Sequence, residues 1–242
     1  MTLPTDIVRL ALGTAVLAFA SWTDWRWRRA PNVLWLVVAG AGAFLLAVDL
    51  AVTPQAVVGR WPYLVSVPGF AAFIWVAWRL RLIAGGADAK ALMSLAVLVP
   101  FPVDLGGLPF APSAMPGSFA ILGNSMIAFL LVPFGLALWN LAHGEARFPH
   151  LLLARSIPLA AMGSGHAWPM ERVVEGRVRT VWFAHARDVD VDALRDALAA
   201  AGRARAWVTP KVPFMVPLLV GFVGTFVVGD VLTWVIRAAL VR

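Results

Sequence analysis

Runs of residues without a single charge constrain this chain more than any other feature. Residues 30–48, 61–78 and 212–229 contain no Asp, Glu, Lys or Arg, and 105–144 is charge-free for forty residues. A helix needs about 17 to 25 residues to cross the hydrocarbon core of a bilayer. The runs lack the spacing of a half-buried soluble core, which repeats at 2 or at 3.6 residues. Composition agrees, with 61% of residues hydrophobic and 14% charged, against about 45–50% and about 25% in a soluble domain. The sequence therefore predicts an α-helical integral membrane protein and excludes an ordinary soluble enzyme. Having no cysteine, it also excludes disulfides, thiol nucleophiles, iron–sulfur clusters and cysteine-based zinc sites.

Six spans are expected, at 7–23, 33–48, 61–78, 89–104, 118–141 and from 213 onward. The first reaches spanning length if Arg9 snorkels to the interface, and the fourth only if its helix runs as far as Asp104. Pro102, Gly106, Gly107, Pro109, Pro112, Pro116 and Gly117 break the start of the forty-residue interval and leave its remainder as the fifth span. The first apolar run lacks a basic flank and a small-residue cleavage site, so it is expected to be retained as a helix rather than removed as a signal peptide.

The arginines orient these spans. Loops one, three and five hold 16 of the 20 basic residues, and only Arg9, Arg60, Arg237 and Arg242 fall on the other side. Basic residues near span ends favour the cytoplasm, so the three loops are expected inside and both termini outside. The same rule accounts for the net charge of +7 without any nucleic-acid partner. The expected organisation is a membrane domain over 1–141, a small cytoplasmic α+β domain over 142–212, and the sixth helix with a short tail over 213–242. The middle region carries 17 of the 33 charged residues, all three glutamates and all four histidines. Within it, 172–174 and 177–183 flank Glu175-Gly176 as a two-residue hairpin turn. Asp190 is placed to cap a helix with Val191, Leu194 and Leu198 on one face, ending near Gly202, and 206–208 returns as a strand.

Two acids at span boundaries call for a reason, because an ionisable group at membrane depth costs about 2.5 to 3.5 kcal/mol on insertion scales. Asp24 ends helix one in Asp24-Trp25-Arg26-Trp27-Arg28-Arg29-Ala30-Pro31-Asn32, and Asp88 opens helix four in Gly85-Gly86-Ala87-Asp88-Ala89-Lys90. The topology sets both at the cytoplasmic boundary. Two carboxylates close together in a partly dry site divide acid and base roles and can activate a water without metal or cofactor. Each acid also has a plain structural reading: Asp88 as a helix N-cap, and Asp24 as the i,i+4 partner of Arg28. Gly85 and Gly86 permit either a turn or the close approach of an extended substrate. Lys90 serves the boundary charge or tunes the aspartates, and Pro31 and Asn32 start helix two.

These two segments resemble the type IV prepilin peptidases, membrane aspartyl proteases that include the archaeal preflagellin peptidases. In that family the first catalytic aspartate precedes a basic stretch ending in Pro-Asn, matched by Asp24, Arg28, Arg29, Pro31 and Asn32. The second lies in Gly-x-Gly-Asp with a lysine two residues on, matched by Gly85, Asp88 and Lys90, with Ala87 replacing the second glycine. That form, and Thr209-Pro210-Lys211-Val212-Pro213-Phe214, look like the archaeal branch. The resemblance implies catalytic Asp24 and Asp88, substrate approach or site support from Gly85, Gly86, Lys90, Pro31 and Asn32, and no cofactor. It implies removal of a short basic leader from prepilins or prearchaellins at the cytoplasmic face of the plasma membrane. It also implies peptidase activity without N-methyltransferase activity, since the cysteine-rich loop of many bacterial members is missing.

Other groups read as structural. His143, His150, His166 and His185 lack the i,i+4 spacing of a helical metal site. Asp230 is expected about 26 Å up helix six from Pro213, as a polar anchor. Glu171 and Glu175 read as a solvated strand face beside Arg172, Arg177 and Arg179, and Trp22, Trp25, Trp27, Trp35, Trp61, Trp75 and Trp78 as interface anchors. The competing classes are an ion-coupled transporter or channel, and a catalytically inactive protein that binds pilin subunits. Against the first, both acids lie at one boundary rather than at the midplane, and no repeat is visible.

Overall fold

The structure is a computed structural model that describes residues 3–83, 85–111, 113, 115–163, 167–181 and 189–240. The chain runs through α1 (Asp6–Trp27), α2 (Asn32–Val52), the short α3 (Pro54–Val58), α4 (Trp61–Arg79), α5 (Gly86–Leu98) and α6 (Gly117–Ala142). It continues through α7 (His150–Leu153), β1 (Arg155–Pro158), β2 (Ala167–Pro169), β3 (Glu171–Val174), β4 (Arg177–Thr180), α8 (Val191–Ala200), β5 (Arg205–Pro210), α9 (Met215–Val227) and α10 (Val231–Leu240). Among the described residues four helices, α1, α2, α4 and α6, are long and apolar enough to cross a membrane. Two compact units result, one of Met1–Phe129 with Pro213–Arg242 and one of Leu130–Val212.

In the first unit, helix ends follow from local chemistry. Arg28 closes α1 in the left-handed conformation, φ 55°, donating its N–H to the Asp24 carbonyl at 3.0 Å. Pro31, held extended, then launches α2, consistent with its missing donor. The helix expected over 89–104 spans Gly86–Leu98 instead. Pro100 disfavours a helical Val99 and Pro102 lacks an N–H, so the chain leaves the helix at φ −126°, ψ 70°. The helix expected from 213 also breaks. Gly229, at φ +104°, separates α9 from α10, and the extended segment at Phe110 and Ala111 donates to the Val227 and Val228 carbonyls at 3.2 and 2.8 Å. Asn124 completes the break, donating to the Gly229 carbonyl at 2.7 Å and accepting from the Val231 N–H at 3.2 Å.

α5 is the hub, packed against α2 and α4, while α1 packs on α2 and α9. Small residues set these contacts, as expected where lipid offers no hydrophobic drive between helices. Gly42 lies against the α5 backbone at Leu98, Gly13 against Phe222, and Gly221 against Ser125. Leu17, Phe70, Ile74, Leu92, Leu95, Ile121, Leu218 and Phe222 fill the shared core. Trp35 joins them, only 4% exposed, which corrects its reading as an interface anchor: it falls on the face of α2 turned to the bundle. The other six tryptophans of that set are exposed.

In the second unit, β5 is the central strand of a three-stranded antiparallel sheet ordered β1-β5-β2, with Ile157 opposite Ala206 and Trp168 opposite Thr209. β3 and β4 form the hairpin about Glu175 and Gly176, both at positive φ. The strand expected over 177–183 ends at Thr180 in the structure, and residues 182 and 183 lie outside the described residues. The Asp190 carboxylate caps α8, accepting from the N–H groups of Asp192 and Ala193 at 3.0 and 3.1 Å. Leu194 and Leu198 pack with Leu159, Met162 and Ala206.

Candidate active site

Asp24 lies in the last turn of α1, half-buried. Ser21 holds that turn against α9, its hydroxyl donating to the Met215 carbonyl at 2.9 Å, while the Thr23 hydroxyl turns back within α1 to the Ala20 carbonyl at 3.0 Å. The Met215 backbone N–H faces the Asp24 carboxylate. Met215 is the first residue of α9, so a helix N-terminus, with its unpaired amides and partial positive charge, is directed at the acid. Arg28 is close enough for its charge to act on Asp24.

Asp88 is the third residue of α5 and half-buried. It is not the cap: Gly85 occupies the N-cap position, extended at φ −99°, ψ 123°. The Asp88 side chain folds back over that glycine, and a Cβ on Gly85 would fall 2.2 Å from Asp88 Oδ2. Gly86 is less confined, since a Cβ there would come no closer to a neighbour than 3.6 Å, at the Trp78 indole nitrogen.

α1 and α5 bring the two acids to one end of the bundle, near enough for the charge of Asp24 to act on Asp88. The other matched residues gather there too. Lys90 Nζ donates to Asn32 Oδ1 at 3.0 Å, tying the start of α2 to the first turns of α5. Pro31 precedes Asn32 and accepts from the Leu34 N–H at 3.2 Å. Such an arrangement presents two carboxylates, a backbone edge at Gly85 and Gly86, and a fixed amide to whatever enters between them.

Residues set aside in the sequence fall elsewhere, some with unexpected partners. His143 stacks on Trp139, and His150 is buried against Trp207 with Nε2 3.4 Å from Thr180 Oγ1. His166 and His185 lie outside the described residues, among which no three His, Cys, Asp or Glu side chains group to hold a metal. Glu171 is not solvated. It is 3% exposed and accepts from the Trp207 N–H at 2.9 Å, because the inward face of β3 turns toward β5; Glu175 remains exposed in the turn. Asp230 is not inside a continuous helix but caps α10, accepting from the Thr233 N–H at 3.0 Å and from the Ser113 hydroxyl at 2.9 Å.

Arg9 does not snorkel. It is 1% exposed, with Nη2 2.8 Å from Asp49 Oδ2, Nε 3.1 Å from Thr5 Oγ1, and Nη1 donating to the Leu98 carbonyl. Asp49, fully buried, was the acid that the charge-free runs passed over. The available signal was one acid and one base at similar distance from the outer ends of neighbouring antiparallel spans.

Fold and site together define a class: a polytopic helical membrane protein with paired carboxylates at one end of its bundle. Known proteins narrow it. Residues 11–139 match the Type IV leader peptidase family, and residues 146–231 match the family described as Archaeal Peptidase A24 C-terminus Type II. The preflagellin peptidase of Methanococcus voltae is 26% identical over 235 residues, which is 93% of this chain and 96% of that protein. The preflagellin peptidase of Methanococcus maripaludis strain C6 is 23% identical over 230 residues, again 93% and 96%. The chain belongs to the Type IV leader peptidase family, with a C-terminal part of the archaeal type.

Proposed function

We propose that the protein is a membrane aspartyl endopeptidase that removes short basic leader peptides from prepilins or prearchaellins, with Asp24 and Asp88 as its catalytic pair. The observation that carries this reading is the pairing itself: two half-buried carboxylates, from α1 and α5, within electrostatic reach of each other in a chain of a peptidase family. One carboxylate takes a proton from a water held between them while the other donates a proton to the scissile carbonyl oxygen. Attack gives a tetrahedral diol, and collapse breaks the C–N bond as the amine leaves with a proton. The pair titrates as a unit, so acid and base are not assigned to individual residues. Gly85 and Gly86 offer an edge without side chains for an extended substrate backbone.

The same reading places six crossings in the membrane, α5 with the extended residues after it and α9 with α10 completing the two that no single long helix supplies. Residues 1–141 and 213–242 form the membrane part and 142–212 a cytoplasmic domain. Cleavage falls on the cytoplasmic face of the plasma membrane, where the leader emerges before the substrate's apolar segment. The reaction needs no metal or cofactor, and methyl transfer is not part of it.

The test is cleavage of a preflagellin-type substrate by membranes containing wild type, Asp24→Asn or Asp88→Asn, with accumulation of each checked. Each substitution is expected to lower the rate by about 10²-fold or more. Activity surviving in either removes that aspartate from the chemistry. A wild type inactive on every leader tried turns the reading toward a pilin-binding protein or a transporter.

A further inference from the structure

The helices that carry the two aspartates share few direct contacts; α5 packs mainly on α2 and α4, and α1 mainly on α9 and α2. A polar tie joins α1 to α5 at the end of the bundle away from the two acids. There Arg9 of α1 donates to the Leu98 carbonyl, the last residue of α5, while its other nitrogen pairs with Asp49 of α2 at 2.8 Å. Thr5 donates to the same Asp49 oxygen at 2.6 Å, and Asp6 Oδ1 stands 3.8 Å from Arg9 Nε. Gly42 presses α2 onto the backbone of Leu98 at the same level. The C-terminus of α5 is thus fixed by α1 and α2 at once, and the helix stops there because Pro100 follows.

A guanidinium with five donors in a rigid fork suits this task. In the interior of a membrane bundle its alternatives are unpaired charge and an unsatisfied helix carbonyl, both costly. Hydrophobic packing alone leaves helices free to slide by a fraction of a turn. A charged hydrogen bond to one particular carbonyl does not.

We propose that Arg9 and Asp49 are positioning residues for the reaction: their hold on Leu98 sets the axial register of α1 against α5, and with it the separation of Asp24 and Asp88. Along ideal helices the clamp lies about 22 Å from Asp24 and about 15 Å from Asp88, at 1.5 Å per residue. It touches neither, and acts through two rigid helices that end at the two acids. This rests on the reading of Asp24 and Asp88 as a pair, but its test does not depend on catalysis.

The chain has no cysteine, so Asp24→Cys with Asp88→Cys reports separation directly by the yield of cross-linking with short and long bis-thiol reagents in membranes. Adding Arg9→Met is expected to lower the short-reagent yield at least threefold relative to the long one. In the active background, Arg9→Met and Asp49→Leu are expected to lower kcat about 10-fold or more while KM moves less than about twofold, since a displaced reacting group loses rate rather than substrate binding. Arg9→Lys, which keeps a charge and a donor, should recover part of the rate. If single variants fail to accumulate, Arg9→Met/Asp49→Leu removes both charges together, which a buried pair tolerates better than the loss of one partner, and carries the same expectations. An unchanged cross-linking ratio overturns the proposal, whatever the activity does. A changed ratio with Asp24→Asn or Asp88→Asn still active upholds the clamp and sinks the dyad instead.

Discussion

At Gly85 the physics of the site is clearest. A Cβ there would meet Asp88 Oδ2 at 2.2 Å and Cγ at 2.8 Å, and the group it meets is the free end of a side chain. Stability therefore changes little when Gly85 becomes Ala, because the carboxylate can swing away. Its position does change, and misplacement of a reacting group by about 1 Å can cost about 10²-fold. Gly85→Ala is expected to lower the cleavage rate by about 10-fold or more at unchanged protein level. Gly86→Ala, with 3.6 Å to its nearest neighbour, is expected to lose less; initial rates on membranes rank the two, and the reverse order refutes the argument. A second residue sets a pH limit. Burial holds the His150 imidazole below its ordinary value, helped by the Arg147 charge and opposed by Glu171. The unfolded chain then binds the proton first as pH falls, so stability of this unit is full above about pH 6.5 and is lost as pH drops toward the lowered value. Amide protection factors across α7 and β5, with exchange normalised to its pH-dependent intrinsic rate, should fall from pH 7 to 5, and His150→Phe should flatten that dependence.

Elements were legible in the sequence where a boundary is local and hidden where a partner decides it. α4 and α6 fall almost where the charge-free runs put them, and the Glu175-Gly176 hairpin and the Asp190 cap follow from neighbouring residues alone. The gathering of Asp24 and Asp88 at one bundle end follows from the same span reading. α5 falls short of 104 because Pro100 outweighs an apolar run. β1 is not legible in the sequence because its four residues show no alternation and are held by β5, with Arg155 opposite Val208, 53 positions away. The Met215 amide at Asp24 and the Arg9–Asp49 pair join segments far apart in the chain, and no periodicity records them. The break between α9 and α10 is of this second kind, and it is testable. A Cβ on Gly229 would fall 1.8 Å from the Ala111 carbonyl oxygen, which is backbone and cannot move aside, at a φ that side chains rarely adopt. Gly229→Val is expected to destabilise the first unit by about 1–3 kcal/mol from backbone strain alone, seen as a lower melting temperature in detergent. Gly224→Ala, with open space around it, should leave the melt near that of wild type.

For the whole molecule the decisive quantity is which side of the membrane holds the acid pair. On the proposed six-crossing reading, 16 of the 20 basic residues fall in the three loops on one side, and basic residues near span ends favour the cytoplasm. On the same reading the residues around Asp24 and Asp88 belong to that side: Arg26, Arg28 and Arg29 follow the first acid and Lys90 the second. Residues 142–212, the proposed cytoplasmic domain, hold ten basic residues. With the proposed pair on that side, and that side cytoplasmic, a leader is presented to it before leaving the cytoplasm, so orientation and function stand or fall together. The absence of cysteine makes the test clean. Phe110 is 77% exposed in the loop before α6, and Ala200 is exposed at the end of α8. A membrane-impermeant maleimide is expected to label Phe110→Cys in intact cells and Ala200→Cys only after permeabilisation. The opposite pattern would put the acid pair outside, away from any leader still facing the cytoplasm, and would leave the arginines without the role that the positive-inside rule gives them.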